Sequence, residues 1–170
     1  VVNIDEIVVS ANKWEQEKSE VPNEILSISP REVAFKNPQT AADMLESTGQ
    51  VFVQRSQMGG GSPMIRGFAA NSVLIMVDGV RMNNAIYREG NLQNIIMLDP
   101  NLLERSEVIF GPGSVLYGSD ALGGVMDFNT LRPRYSTGDK LRIYPTAFTR
   151  FSSANNENTG HVNLRYGNKN

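Results

Sequence analysis

Side chains able to do acid, base or nucleophilic chemistry are sparse in this chain. It holds no cysteine and one histidine, His161. That excludes thiol nucleophiles, disulfide scaffolds and every cysteine-containing metal site. One imidazole is too few for a histidine zinc site, and any catalytic triad would have to use it. Between residues 78 and 127 carboxylates occur at Asp78, Glu89, Asp99, Glu104, Glu107, Asp120 and Asp127. None forms a pair accompanied by a recognisable nucleophile or base, so no enzyme, no catalytic residue, no metal site and no resident cofactor is expected. Asp78 and Asp99 have structural readings, in a hairpin turn and a helix cap. Glu107 differs, because it lies in the apolar run Ser106-Glu107-Val108-Ile109-Phe110. Turned inward, its carboxylate is costly unless paired, and Arg66 is a candidate partner; turned outward, it belongs to a solvated strand face.

The glycine-rich segments do not carry phosphate chemistry. Gly61-Ser62-Pro63-Met64-Ile65-Arg66-Gly67 lacks the Lys-Ser/Thr of a phosphate loop, and no third glycine after Gly111-Pro112-Gly113 opens a helix. With 16 basic and 18 acidic residues the net charge is −2, which argues against a nucleic-acid partner. No apolar run reaches the roughly 20 residues of a membrane-spanning helix. The methionines are scattered and read as core or interface filling.

The elements that position these residues are short. Residues 4–11 form a β-prone run, followed over 12–22 by a polar stretch that reads as an extended, poorly ordered arm. Such a segment either adds to a partner's sheet edge or is an ordinary first strand. Residues 24–28 predict a strand. Ser29-Pro30-Arg31-Glu32 is a capping box with proline at the first helical position. Asn37-Pro38 is expected to open a second helix through Ala41, Met44 and Leu45, ended by Gly49. A strand over 51–54 leads into 57–63, whose Gly59, Gly60 and Gly61 predict a flexible loop; Arg66 is placed in a further short strand. Val77-Asp78-Gly79-Val80 marks a two-residue hairpin. Residues 83–94 are a polar loop, Asp99-Pro100 caps a short helix, 106–110 and 125–129 are strands, and a helical turn precedes Gly118. This mixture is α+β. Beyond Leu131 the pattern changes: 142–151 and 161–166 alternate polar and apolar. Val162, Leu164 and Tyr166 share one face, as in a membrane barrel strand or a soluble amphipathic hairpin.

The order of motifs resembles the plug domain of TonB-dependent outer-membrane receptors. Ile4-Asp5-Glu6-Ile7-Val8-Val9-Ser10-Ala11 resembles the TonB box, and 40–49 the helix before the first plug motif. Met64-Ile65-Arg66-Gly67-Phe68 is similar to the Ile-Arg-Gly signature, and Val77-Asp78-Gly79-Val80 to the family's hairpin. The longest match runs from Leu103-Glu104-Arg105-Ser106-Glu107-Val108-Ile109-Phe110-Gly111-Pro112-Gly113 through Tyr117-Gly118-Ser119-Asp120-Ala121-Leu122-Gly123-Gly124-Val125. One residue departs: the family pattern carries arginine before Gly-Pro, where this sequence has Phe110.

The resemblance implies an arm with the TonB box (1–22), a small mixed-sheet plug with short helices (23–131), and a connector with the first one or two antiparallel strands of an incomplete outer-membrane barrel (132–170). It implies transport without catalysis: Asp5, Glu6, Ile7, Val8, Val9 and Ser10 pair as a strand with the TonB C-terminal domain, which remodels the plug. Arg66 and Glu107 carry over as the lock against carboxylates of the receptor's own barrel. Met58, Gly59, Gly60, Asn83, Asn84, Tyr87, Arg88, Glu89 and Asn91 fall in apical loops facing the ligand. Residues 83–94 look most like receptors for haem or haemoglobin; ferric siderophore and cobalamin stay open. That loop holds no histidine; Tyr87 is a candidate phenolate ligand for iron, or it stacks on ligand or packs on the barrel, as an apex tyrosine more often does. The implied location is the outer membrane of a Gram-negative bacterium, touching lipid through the barrel, with the N-terminus in the periplasm. A barrel of about 22 strands of roughly 10 residues exceeds 170 residues, so the chain alone is not expected to transport. The alternative is a soluble periplasmic binding or signalling module of plug-like fold.

Overall fold

Cap and turn chemistry sets many of the element boundaries. The computed structural model describes residues 21–57, 60–69, 72–82, 94–133, 136 and 141–167, with the backbone of 7–8 and 16–17. It divides into two compact units, Val1–Leu131 and Arg132–Asn170. At the N-terminus β1 (Ile7–Val8) pairs antiparallel with β2 (Gln16–Glu17), and neither joins the larger sheet. After β3 (Ile25–Ile28) the Ser29 hydroxyl accepts from the Glu32 amide at 3.3 Å, and the Glu32 carboxylate accepts from the Ser29 amide at 2.9 Å. This capping box, with Pro30 inside it, starts α1 (Pro30–Lys36).

Asn37-Pro38 does not open the second helix. Asn37 adopts φ +47° and closes α1, its amide donating to the Val33 carbonyl at 2.8 Å. Asparagine tolerates the left-handed conformation and so serves at helix ends as well as starts. The cap of α2 (Ala41–Glu46) is Thr40, in a second capping box with Asp43. Gly49 follows at φ +74°.

The three-glycine segment is also not the predicted loop throughout. Gly60 and Gly61 begin β5 (Gly60–Met64), which pairs antiparallel with β4 (Phe52–Gln57). A Cβ on Gly61 would stand 2.3 Å from Val53 Cγ1, so glycine here permits close strand approach. Arg66 is not in a strand either. Ile65 and Phe68 exchange backbone hydrogen bonds of 2.9 and 2.8 Å around a two-residue turn, with Arg66 at φ +50° and Gly67 at φ +87°.

The principal sheet comprises β3, β6 (Val73–Val77), β7 (Val80–Arg81), β8 (Leu103–Phe110) and β9 (Gly124–Thr130), in the order β3-β8-β9-β6-β7. Only β6 and β9 run parallel; the other pairings are antiparallel. Asp78 (φ +49°) and Gly79 (φ +80°) form the predicted β6–β7 turn. The Asp78 carboxylate accepts from the Thr130 amide at 2.9 Å and its hydroxyl at 2.7 Å, tying that turn to β9. Residues 94–97 and 100–102 are 3-10 turns, the second capped by Asp99.

One sheet face buries Ile28, Val73, Ile75, Val108, Phe110, Met126 and Phe128 against Val33, Met44, Leu45, Val51, Val53, Ile65 and Ile95. The opposite face carries Ile25, Leu74, Ile109 and Val125 beneath Tyr117 and Ala121. Tyr117 ends the short helix α3 (Ser114–Tyr117), whose last carbonyl accepts from the Arg81 guanidinium of β7. A bulge between Leu103 and Arg105 switches the alternation of β8. Leu103 therefore enters the first core, while Arg105 and Glu107 belong to the second face.

In the second unit β10 (Arg142–Ser152) and β11 (Glu157–Gly167) form a continuous antiparallel ladder, from Arg142↔Gly167 to Ser152↔Glu157. One face pairs Ile143 with Tyr166, Pro145 with Leu164 and Ala147 with Val162. Val162 is 82% exposed, Leu164 63% and Tyr166 73%. The other face stacks Phe148 on His161 at 5.1 Å and pairs Arg150 with Glu157 at 2.7 Å. His161 is thus a strand residue in a ring stack. A polar face opposite an open apolar row is the pattern of outer-membrane barrel strands.

Candidate functional site

Across the principal sheet, register alone places Ser27, Glu107, Asp127 and Met76 in one row on the second face. Glu107 is fully buried. Its partner is Arg105, two residues earlier on the same strand, with Nε 3.1 Å from Oε1. Arg66, the partner suggested by sequence, is engaged elsewhere. Two residues along one strand share a face, and that local pairing outcompetes a residue held by another turn. Asp127 stands directly across from Glu107. Burial pushes the Asp127 carboxyl above its ordinary value, and the Glu107 charge adds to this; Asn129, donating at 3.3 Å, and Arg105 oppose it. The Tyr117 phenol is pushed up to about 12 by burial, with Asp127 and Glu107 contributing. The row is therefore a charged stripe set at the end of an apolar face.

Arg66 forms an ion pair with Glu24, the residue before β3, and its guanidinium lies 5.1 Å from the Phe110 ring centroid. What aims it is the packing of its neighbours. A Cβ on Gly123 would fall 2.2 Å from Phe68 Cβ, and one on Gly124 2.8 Å from Ile65 Cδ1. The Ile65-Arg66-Gly67-Phe68 turn thus rests directly on Gly123-Gly124, and neither glycine has room for a side chain. The Phe110 amide donates to the Glu24 carbonyl at 3.0 Å. Beside the turn lies a cleft of about 530 Å³ lined by Glu46, Gly49, Gln50, Val51, Phe52, Met64, Arg66 and Gly67.

A third charged group links α2 to β4. Arg55 bridges Asp43, at 2.6 Å, and Glu46. Burial alone would raise the Asp43 carboxyl, yet hydrogen bonds from Arg55 and Thr40 outweigh it and hold the group below its ordinary value.

Of the expected coupling segment, Ile7 and Val8 are described, paired with Glu17 and Gln16. Asp5, Glu6, Val9 and Ser10 lie outside the described residues, as do Met58, Gly59, Asn83, Asn84, Tyr87, Arg88, Glu89 and Asn91. Gly60 is in β5, opposite Gln57. Among the described residues no group of three or more His, Cys, Asp or Glu is placed to hold a metal ion. Sequence reasoning missed Glu24, Arg105 and Asp127 as partners. Arg105 and Asp127 were accessible from strand parity, and Glu24 had no local signal.

A family model described as the TonB-dependent receptor plug domain matches residues 17–125. The chain belongs to this family. The plug is similar to the vitamin B12 transporter BtuB of Vibrio vulnificus, 39% identical over 82% of this chain and 23% of the transporter. It is 36% identical to a hemin receptor of Yersinia pestis, over 85% of this chain and 22% of the receptor. The chain therefore spans under a quarter of the length of either relative. The solved copper transporter OprC superposes with a TM-score of 0.69 at 22% identity, over 85% of this chain and 21% of that one, a likeness of fold. These relatives are transporters and receptors, and the α+β plug followed by antiparallel strands is their architecture.

Proposed function

We propose that this chain is the plug, with the opening barrel strands, of a receptor in the outer membrane of a Gram-negative bacterium. The receptor takes up a scarce ligand of the haem or haemoglobin, ferric siderophore or cobalamin kind, using energy delivered by TonB. The observation that carries this reading is the plug match over residues 17–125, followed in the chain by a hairpin with an exposed apolar row opposite a polar face. The names of the relatives, a vitamin B12 transporter and a hemin receptor, support that ligand range. A soluble module of plug-like fold draws no support from them.

Ligand meets the apical loops, including Tyr87, Arg88 and Glu89, from outside the cell. Residues 5–10, facing the periplasm, then add as a strand to the C-terminal domain of TonB. Backbone hydrogen bonds along such a strand carry load without requiring particular side chains. Pulling remodels the plug inside its barrel, opening a path; of the two expected lock residues the half-exposed Arg66 is the one that supports such a contact, because Glu107 is fully buried and paired with Arg105. The test is a disulfide scan in the whole receptor, pairing a cysteine at each of residues 5–10 in turn with cysteines on the edge strand of TonB. Ligand-stimulated cross-links with period-two dependence are expected. Absence of cross-links along the whole of 5–10 overturns the coupling reading.

A further inference from the structure

Two contacts converge on the residue where the N-terminal segment joins the sheet, and a third links their partners. Glu24 accepts a backbone hydrogen bond from Phe110 at its carbonyl and an ion pair from Arg66 at its carboxylate. Arg66 in turn lies over the Phe110 ring. Phe110 ends β8, and among the described residues β3 is an edge strand of the principal sheet, paired with β8 over Ile25↔Ile109 to Ile28↔Ser106. We propose that Glu24, Arg66 and Phe110 form a clasp that holds β3 in the sheet, and that, once the separate β1–β2 pair and the contact of Val21 with the second core have yielded, its opening is the first step in taking the principal sheet apart when the N-terminal segment is pulled. This rests on the coupling reading above.

A pull arriving from residues before Val21 reaches Glu24 before any pair of the β3–β8 ladder. The ladder beyond it is only four residues long, so once Glu24 is free the remaining bonds are loaded in succession from the Ile25 end. The Arg66 turn does not follow Glu24, because Ile65 and Phe68 are seated on Gly124 and Gly123. Phe110 is a positioning residue: its ring supplies a neutral platform where the family pattern has arginine. A second guanidinium there would repel Arg66 and compete for Glu24. Releasing β3 uncovers Glu107, which is opposite Ser27 and fully buried in the closed plug.

Both charged partners are half exposed, so the variants Glu24→Gln and Arg66→Gln leave the core intact. An exposed ion pair plus an exposed cation–π contact corresponds to roughly 3–30-fold in an opening equilibrium. Amide hydrogen exchange in the whole receptor should be faster by that factor at residues 25–28 in R66Q, and by less in E24Q. Exchange at Val73–Val77 and Gly124–Thr130 should not change. The exchanged pair E24R/R66E should recover part of the loss. Unchanged exchange at 25–28, or acceleration spread equally over β6 and β9, overturns the clasp. A second arm separates the two readings. The chain has no cysteine, so Ser27→Cys gives this chain a single reporter thiol. Its maleimide labelling in cells should require TonB and rise further with R66Q. If the exchange effect is present and labelling is independent of TonB, the coupling reading falls, and the clasp's role under load falls with it.

Discussion

Replacing Asp127 by asparagine should stabilise the plug at neutral pH. Asp127 and Glu107 face each other across β8 and β9. Burial and the Glu107 charge both raise the Asp127 carboxyl, so its ionisation opposes folding. Directly opposed like charges on neighbouring strands cost up to about 1 kcal/mol. Asparagine keeps an acceptor for the Asn129 amide and removes the charge, leaving a gain of about 0.5–1 kcal/mol. The native plug binds this proton more tightly than the unfolded chain. The site's contribution to stability is therefore full below the ordinary value of 3.8 and is lost as pH rises through the raised folded value. D127N should abolish that loss. Urea unfolding of the chain, followed by circular dichroism, should show a midpoint higher by roughly 0.3–1 M at pH 7. The difference should close toward pH 3. A destabilised variant at pH 7, or a gain that persists undiminished below the ordinary carboxylate range, would refute the reasoning.

Other substitutions test separate parts of the account. Gly61→Ala puts a methyl 2.3 Å from Val53 Cγ1, and thermal unfolding should show a loss of about 1–3 kcal/mol. Thr40→Ala removes the capping oxygen of α2 and should cost about 1 kcal/mol. In the parent chain Asp43 is held below its ordinary value, so its contribution is present above pH 3.8 and lost as pH falls through the depressed folded value. An acid titration of stability should show the R55Q variant losing less over that fall. Asp78→Ala loses both Thr130 hydrogen bonds and places alanine at φ +49°. It should unfold at lower urea than Asp78→Asn, since asparagine tolerates that conformation.

Legibility followed the range of the interaction. The Ser29 capping box, the Asp99 cap and the Asp78-Gly79 turn are each decided within four residues, and each formed as read. Asn37-Pro38 failed because asparagine suits both ends of a helix, and which end is set by the competing cap at Thr40. Gly60 and Gly61 were read as freedom, whereas Gly61 answers to Val53 on the paired strand. Arg66 looks like a strand residue in sequence, but the Gly67 turn, seated by Ile65 and Phe68 on Gly124 and Gly123, fixes it in the left-handed region. The Arg105–Glu107 pair was readable from alternation, whereas the entry of Leu103 into the first core depends on a bulge at Glu104 that no local pattern announces. Glu24 met Arg66 through a contact spanning 42 residues, which sequence spacing does not encode. The outward apolar row of β11 was visible in the alternation of Val162, Leu164 and Tyr166.

The central claim is that this plug serves energy-coupled uptake. Its most direct test is accumulation of labelled haemin, a ferric siderophore and cyanocobalamin by cells carrying the whole receptor, with residues 5–10 present or deleted. Each strain is assayed with the proton gradient intact and collapsed. One ligand should accumulate only with the segment and the gradient together, while surface binding survives the deletion. Accumulation unaffected by both treatments, or none of any ligand by the intact receptor, would contradict the account.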